Sequence, residues 1–394
     1  MKKAFYMMAA AAIALSSCSS EETTDVAKSS AISFRSFVGF NRRGVEMSNE
    51  DGYKMSKMTV SAFDANGGEF FKNYEFADNN GVFESSQHPY WPNDGELTFV
   101  AYSHSGEWTG NAPSLTNSGA TISAFAPKNE IGDQLDVVFA KGSGSKNNSA
   151  NAVELNFEHI LSQIKIVAKH SSDAYTYKIK GIRIASVCGS ANYEYKFGEN
   201  NKHNWTNFAT ANVVYQKEFA QPIDLNKDTP VDLTTKCNAG DKKGGAMLIP
   251  QTLTVWNGTD VAENTTEFTN FSGKAYISLL IQVKRGSTSI YPSGDTDGSK
   301  FGWAAVAIPV DAGQTTASWV AGNKYIYTLD LTNGCGKVDP VDPGTGVNPG
   351  GTDPNKPKDP NKGEQIFGKE IKFTVQVTDW TDAFAGTNNG QIKM

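Results

Sequence analysis

The stretch Ile371-Lys372-Phe373-Thr374-Val375-Gln376-Val377-Thr378-Asp379-Trp380 alternates strictly. Ile371, Phe373, Val375 and Val377 fall on one face; Lys372, Thr374, Gln376 and Thr378 fall on the other. β-Branched and aromatic residues at a period of two predict a half-buried strand. The chain leading into it is of another kind. From Val338 to Gly363 it reads VDPVDPGTGVNPGGTDPNKPKDPNKG, with almost nothing to bury and prolines that cannot join a sheet ladder. The pattern is a strand worth burying, within a segment 364–394, at the end of a Pro/Asp/Gly linker spanning 338–363.

Outward from that strand, the rest of the chain also reads as β. The 394 residues are 39% hydrophobic and 20% charged, enough for two or three cores. With 37 Gly, 22 Phe and 14 Tyr, and no long helical repeat, composition favours strands and turns. Ile32, Phe34, Val38 and Phe40 share a face with small Ser36, so Ala31–Phe40 is expected as a first strand, broken by Asn41-Arg42-Arg43-Gly44. A meander follows: Met58–Phe63, Phe70–Phe76 and Leu97–Tyr102, punctuated by Asn66-Gly67 and Asn80-Gly81, pairs that supply the positive φ of tight hairpins. Thr121–Phe125 and Leu135–Ala140 add short strands.

Lys141–Asn151 (KGSGSKNNSAN) is the clearest break in composition before the 338–363 linker; it is expected either to divide a unit 31–150 from a unit 151–337 or to form a long loop inside one sandwich. Strands of the second are expected at Val153–Phe157, Ile164–Lys169, Tyr177–Ala185, Asn192–Phe197, Ala246–Ile249, Ala275–Lys284, Trp303–Pro309 and Lys324–Leu331. Short strands with turns every eight to fifteen residues predict an all-β fold of two tandem antiparallel sandwiches rather than an α/β fold.

The N-terminus belongs to export. Lys2 and Lys3 precede an apolar run from Ala4 to Leu15, too short to span a bilayer, so residues 1–17 read as a signal peptide and 18–30 as a tether. Leu15-Ser16-Ser17-Cys18 resembles the bacterial lipobox, which implies cleavage before Cys18, acylation of its thiol and stable anchoring by two or three chains. Ser19-Ser20-Glu21-Glu22 is similar to the acidic tag of surface-exported Bacteroidales lipoproteins. Cys188, Cys237 and Cys335 remain; three widely spaced cysteines are neither a disulfide framework nor a zinc pattern, and allow at most one bridge.

Signatures of chemistry are missing. There is no G-x-x-x-x-G-K-[ST], G-x-S-x-G or H-E-x-x-H, so the expectation is a protein that is not an enzyme and uses no cofactor or metal. The five His show no ligand spacing; His159, in Asn156-Phe157-Glu158-His159, reads as a hydrogen-bonded structural residue rather than a general base. Asp295-Thr296-Asp297-Gly298 lacks the oxygens of a calcium loop and reads as a turn. Trp91, Trp108, Trp303 and Trp319 read as core residues before sugar-stacking ones. A net charge of −6 with interspersed signs excludes a basic nucleic-acid face.

Several of these segments together resemble the fimbrillin family of Bacteroidales, the type V pilins with their anchor and accessory subunits. The matching pieces are Leu15–Cys18, Tyr90-Trp91-Pro92 before Leu97–Tyr102, Phe157-Glu158-His159-Ile160-Leu161-Ser162, Gly322–Leu331 and Val375–Trp380. The resemblance implies transthyretin-like, Greek-key sandwiches, export as an outer-membrane lipoprotein, and a surface-exposed fimbrium that supports adhesion. It further implies that a protease cuts after Arg42 or Arg43, releasing Ala31–Phe40, and that Ile371, Phe373, Val375 and Val377 of a neighbour fill the groove. Partners would be other fimbrial subunits, the membrane through Cys18, and host or bacterial surface glycans or proteins. A stalk or accessory role is favoured over a tip role. The alternative is a monomeric lipoprotein, an adhesin or glycan-binding protein, or the anchor subunit.

Each end strand offers about four large apolar residues, worth at most ~6–12 kcal/mol at roughly 1.5–3 kcal/mol per buried side chain. An extended 338–363 linker would reach about 80 Å at roughly 3.1 Å per residue, against a domain radius of gyration near ~14 Å. The strand would then reach a neighbour or its own subunit equally, with effective concentration favouring its own.

Overall fold

The structure, a computed structural model, describes residues 31–38, 45–46, 55–148, 152–197, 202–209, 212–237, 244–310, 313–369 and 371–380. Over these the chain is all-β, with only short 3-10 turns between strands. The first stretch supplies β1 (Phe34–Val38), β2 (Val45–Glu46), β3 (Lys57–Phe63), β4 (Glu69–Asn79), β5 (Val82–Glu84), β6 (Leu97–His104), β7 (Ser114–Thr116), β8 (Gly119–Phe125), β9 (Val137–Gly144) and β10 (Val153–His159). Then come β11 (Ser162–Lys169), β12 (Thr176–Val187), β13 (Ser190–Lys196), β14 (His203–Ala209), β15 (Val213–Leu225), β16 (Val231–Asp232), β17 (Ala246–Leu248) and β18 (Thr252–Thr254). The last are β19 (Tyr276–Arg285), β20 (Thr288–Tyr291), β21 (Gly302–Ala307), β22 (Thr316–Ser318), β23 (Asn323–Asp330), β24 (Lys337–Val338) and β25 (Lys372–Asp379).

The first sheet runs β10-β9-β6-β3-β4-β5-β1-β2, and β10 also pairs β1, so the sheet closes on itself. Inside lie Phe34, Phe76, Phe99, Leu155 and Phe157, all fully buried. The hairpin between β4 and β5 turns at Asn80 and Gly81, both at positive φ, as the Asn-Gly pair demands.

Two further sheets, β16-β11-β23-β25 and β15-β12-β19-β21-β24, face each other. Ile164, Ile166, Tyr327 and Leu329 from one meet Ile179, Ile182, Leu279 and Ile281 from the other in a single apolar cluster. The alternation of Tyr325, Tyr327 and Leu329, plain in the sequence, is this inward face.

Three expectations need correction. Val153–Phe157, expected to open the second unit, instead lies in β10 (Val153–His159), which pairs β9 and β1 and completes the first sheet. The composition break at Lys141–Asn151 falls within that sheet: Lys141–Gly144 end β9, paired with Leu97–Val100 of β6, and Ser145–Asn148 turn toward β10. The ladders are also not purely antiparallel: β1 runs parallel to β10, and β11 parallel to β23. Finally, the halves are interwoven, since β8 from the first pairs β13 from the second. Ala120 and Ile122 on β8, with Tyr193 and Tyr195 on β13, share a buried cluster with Ile160, Leu161 and Trp380. Sequence periodicity reports which face is apolar but not which partner strand covers it.

Candidate strand-exchange site

Of the expected processing and exchange elements, Cys18, Arg42 and Arg43 lie outside the described residues, as does Phe40. The strand expected to be released is β1. Ile32, Phe34 and Ser36 point inward, and Phe34 is fully buried. Its ring packs edge-on against Phe76 at 4.8 Å and Phe99 at 5.0 Å. On one side β1 pairs β10 over five residues, from Phe34 opposite Val153 to Val38 opposite Phe157. On the other it meets β5 at Phe83 and β2 at Glu46 and Val45. Ile32 N–H donates to Pro89 O at 2.7 Å. Withdrawing β1 would therefore leave a groove with two strand edges and a floor of aromatic rings.

The groove's β10 wall is held from behind. Glu158 accepts from Tyr195 Oη and Lys202 Nζ, each at 2.9 Å, and lies 3.4 Å from His203 Nε2. Burial alone would raise its pKa, but bonds from His203, Lys202 and Tyr195 overcome that and lower it to about 2.

The strand expected to act as donor, β25, is docked on its own chain. It pairs antiparallel with β23 through eight positions, from Asp330 opposite Lys372 to Asn323 opposite Asp379. It is the outermost strand of its sheet among the described residues. Phe373, Val375 and Val377 are only half-buried against the core, with Phe373 edge-on to Tyr327 at 5.7 Å. The two end strands also agree residue by residue. Ile32-x-Phe34-x-Ser36-x-Val38 and Ile371-x-Phe373-x-Val375-x-Val377 differ on this face only where Ser36 faces Val375.

Two features escaped the sequence reading. One is Trp380, which belongs to the parity of the strand's polar face. It is fully buried, stacks on the His159 ring at 3.8 Å and 9°, and donates its backbone N–H to Gly322 O at 2.7 Å. Thr378, on the same parity, is buried too. The strand thus buries one face over most of its length and the other at its end. The only signal was Trp380 itself, a large aromatic out of phase with its neighbours. His159 is structural, its Nδ1 within 3.0 Å of the Asp136 carboxylate, in line with the sequence reading.

The second is the Pro/Asp/Gly segment, which is not a tether. Gly363 N–H donates to Val338 O and Val338 N–H to Glu364 O, both at 2.9 Å, so its ends are hydrogen-bonded to each other. Asp339, fully buried, accepts from Ser278 Oγ at 2.6 Å, Tyr276 Oη at 2.9 Å, Arg183 Nη1 at 3.3 Å and the backbone N–H groups of Val341 and Asp342. The Arg183 guanidinium lies 3.9 Å from the Trp303 ring and also bonds Asp342. Farther along, Asn348 N–H and Ser293 N–H both donate to Asp359, each at 2.8 Å. The prolines and aspartates that made the segment look unstructured instead accept hydrogen bonds in a clasped loop: Pro340 O from Ala262 N–H, Pro343 O from Trp303 N–H, and Asp339 and Asp359 from backbone N–H groups. Buried carboxylates substitute for the missing apolar side chains.

Other readings resolve simply. Asp295 accepts backbone N–H from Gly298 and Lys300 at 2.9 and 3.1 Å, making the expected turn. Cys188, Cys237 and Cys335 are all free thiols; burial pushes Cys237 up to about 12 and Cys335 well above the ordinary range. Trp91, Trp303 and Trp319 are core residues, and Trp108 is partly buried against Tyr102 and Phe125.

Among solved structures, the chain is similar to a candidate cell adhesion protein from Bacteroides ovatus, at 12% identity and a TM-score of 0.47 over 89% of this chain and 97% of that one. A second, from Bacteroides uniformis, gives 13% and 0.43 over 89% and 98%. A third, from Parabacteroides distasonis, gives 8% and 0.38 over 91% and 99%. No curated protein matches. Residues 44–349 match a family described as fimbrillin-like, a span that begins after β1 and ends before β25, and on that match the chain belongs to the fimbrillin-like family.

Proposed function

We propose that the protein is a structural subunit of cell-surface fimbriae, assembled by exchange of β25 into the β1 site of a neighbour. On this reading it is exported through the Cys18 lipid to the outer membrane. Cleavage after Arg42 or Arg43 then frees the strand ahead of it, and the two halves are variants of transthyretin-like sandwiches. Its partners are other fimbrial subunits and, through adhesion, surface glycans or proteins; no catalytic step is assigned. The observation that carries the reading is the residue-by-residue match of the inward faces of β1 and β25, with the Ile-x-Phe start in common. A strand that repeats another's apolar face in register can replace it without turning that face to solvent.

A second reading is favoured by the docking of β25 on β23: a monomeric surface lipoprotein, or an anchor subunit, that closes its own sheet. N-terminal sequencing of surface-purified protein separates them. A start at Gly44, or at Arg43 for the earlier cut, is the expected result for an assembling subunit. A start at acylated Cys18 in fibre fractions and elsewhere alike would defeat it. Truncation is best made at 371, because Ile366 is buried and removing 364–370 would also open the clasp.

A further inference from the structure

The clasp changes which part of the C-terminus is able to leave. The chain is held as far as Lys369. Lys362 Nζ donates to Ala262 O and Thr265 O, and Phe367 packs on Tyr175 with ring centroids 4.5 Å apart. Lys369 N–H bonds Asn333 O at 2.8 Å. Gly368 sits at φ +70, where a Cβ would come within 2.0 Å of Asn333 O, so the crossing of the two segments admits only glycine. Past this point the restraints become few. β25 has one paired edge and a half-buried apolar face.

At the far end stands Trp380, the one fully buried apolar side chain of the arm. It enters the seam between the halves, in a cluster with Ile160, Leu161, Met247 and Ile249 and against the ring of His159. That seat is incomplete. Trp380 Nε1 and Thr378 Oγ1 are buried with no hydrogen-bond partner among the described residues.

We infer that Trp380 is a latch that holds the arm 371–380 at home, and that the arm comes free beyond Lys369 rather than from the start of the Pro/Asp/Gly segment. The inference rests on the strand-exchange reading and sharpens it. Ten residues of strand reach about 33 Å at ~3.3 Å each, not the length of an open linker, so the accepting copy must be seated directly beside that point. The two unpartnered polar atoms mark the latch as the part of the docked arm most ready to give way. Release of one indole from the seam leaves only the edge ladder to be exchanged, and ladder bonds lost at home are regained on the partner.

Hydrogen exchange on the full chain and on W380A tests this. The expected result is exchange over 371–380 and along β23 faster by about tenfold or more, with 338–369 and β1 unchanged. Acceleration of 338–369 in step with the arm would place the point of release upstream and overturn the inference; so would an unchanged arm. If W380A also loses protection in β1, W380L, which keeps part of the apolar volume but not the stacking face, carries the same comparison. Subunit mixing is scored separately on chains cut at residue 43. An arm that loosens while mixing stays unchanged leaves the latch standing and removes the exchange reading.

Discussion

β1 and β25 carry nearly the same inward face, yet the fold treats them differently. β1 sits between neighbours in a closed sheet with Phe34 wholly enclosed by aromatic rings. β25 lies on an edge with Phe373 half-exposed. The same residues are therefore worth more in the first place than in the second, and the difference lies in the site rather than the strand. A β25 moved to a vacated β1 site would gain a second paired edge and complete burial. On the proposed exchange reading, that gradient would drive exchange once β1 is gone, and it is absent while β1 remains.

The comparison is open to direct attack. Phe34→Ala should destabilise by about 3–5 kcal/mol, as a large buried aromatic truncated in a packed core, whereas Phe373→Ala should lose only about 1 kcal/mol for a half-buried ring. Urea denaturation of both variants measures the difference, and equal effects would erase the gradient. Asp339→Ala should also be severe, about 3–5 kcal/mol, because it strips a buried Arg183 of one carboxylate and orphans Tyr276 and Ser278. If the clasp is instead dispensable, Asp339→Ala will unfold at the wild-type urea concentration.

A smaller effect concerns the β10 wall of the β1 site. The folded-state pKa of Glu158, about 2, lies below the unfolded value near ~4.3, so its stabilisation is present above that unfolded value and is lost as pH falls through about 2. Over that window the wild type should lose Tm faster than Glu158→Gln; parallel melting curves would remove Glu158 from the account. Smallest of all, in the folded chain Cys188 should react with a thiol reagent while Cys237 and Cys335, buried and with raised pKa values, stay silent until unfolding.

How much of this was legible follows from what sequence patterns encode. Alternation marked β1, β23 and β25 correctly because it reports a face, and Asn80-Gly81 marked a hairpin because positive φ needs those residues. Pairing partners were out of reach. Nothing local in Val153–His159 says that it will lie parallel to β1, or in Gly119–Phe125 that it will pair across to β13. The Pro/Asp/Gly segment misled for a related reason. Its order comes in part from Asp339 and Asp359 meeting Arg183, Tyr276 and Ser293 far away in the chain. Composition rules assume that order comes from apolar burial. Trp380 was visible but uninterpretable, since its socket is built by both halves.

Disulfide trapping tests the central claim most directly. In the docked chain Thr374 faces Thr328, whereas in a neighbour's β1 site, with Ile371 in the place of Ile32, Thr374 takes the place of Arg35 and faces Glu154. Subunits cut at residue 43 and carrying Thr374→Cys with either Thr328→Cys or Glu154→Cys should show the Thr328 bond within single chains before assembly. In fibres the Glu154 bond should join one chain to the next. A Thr374–Thr328 bond confined to single chains in both states, with no Thr374–Glu154 link between chains, would contradict the account.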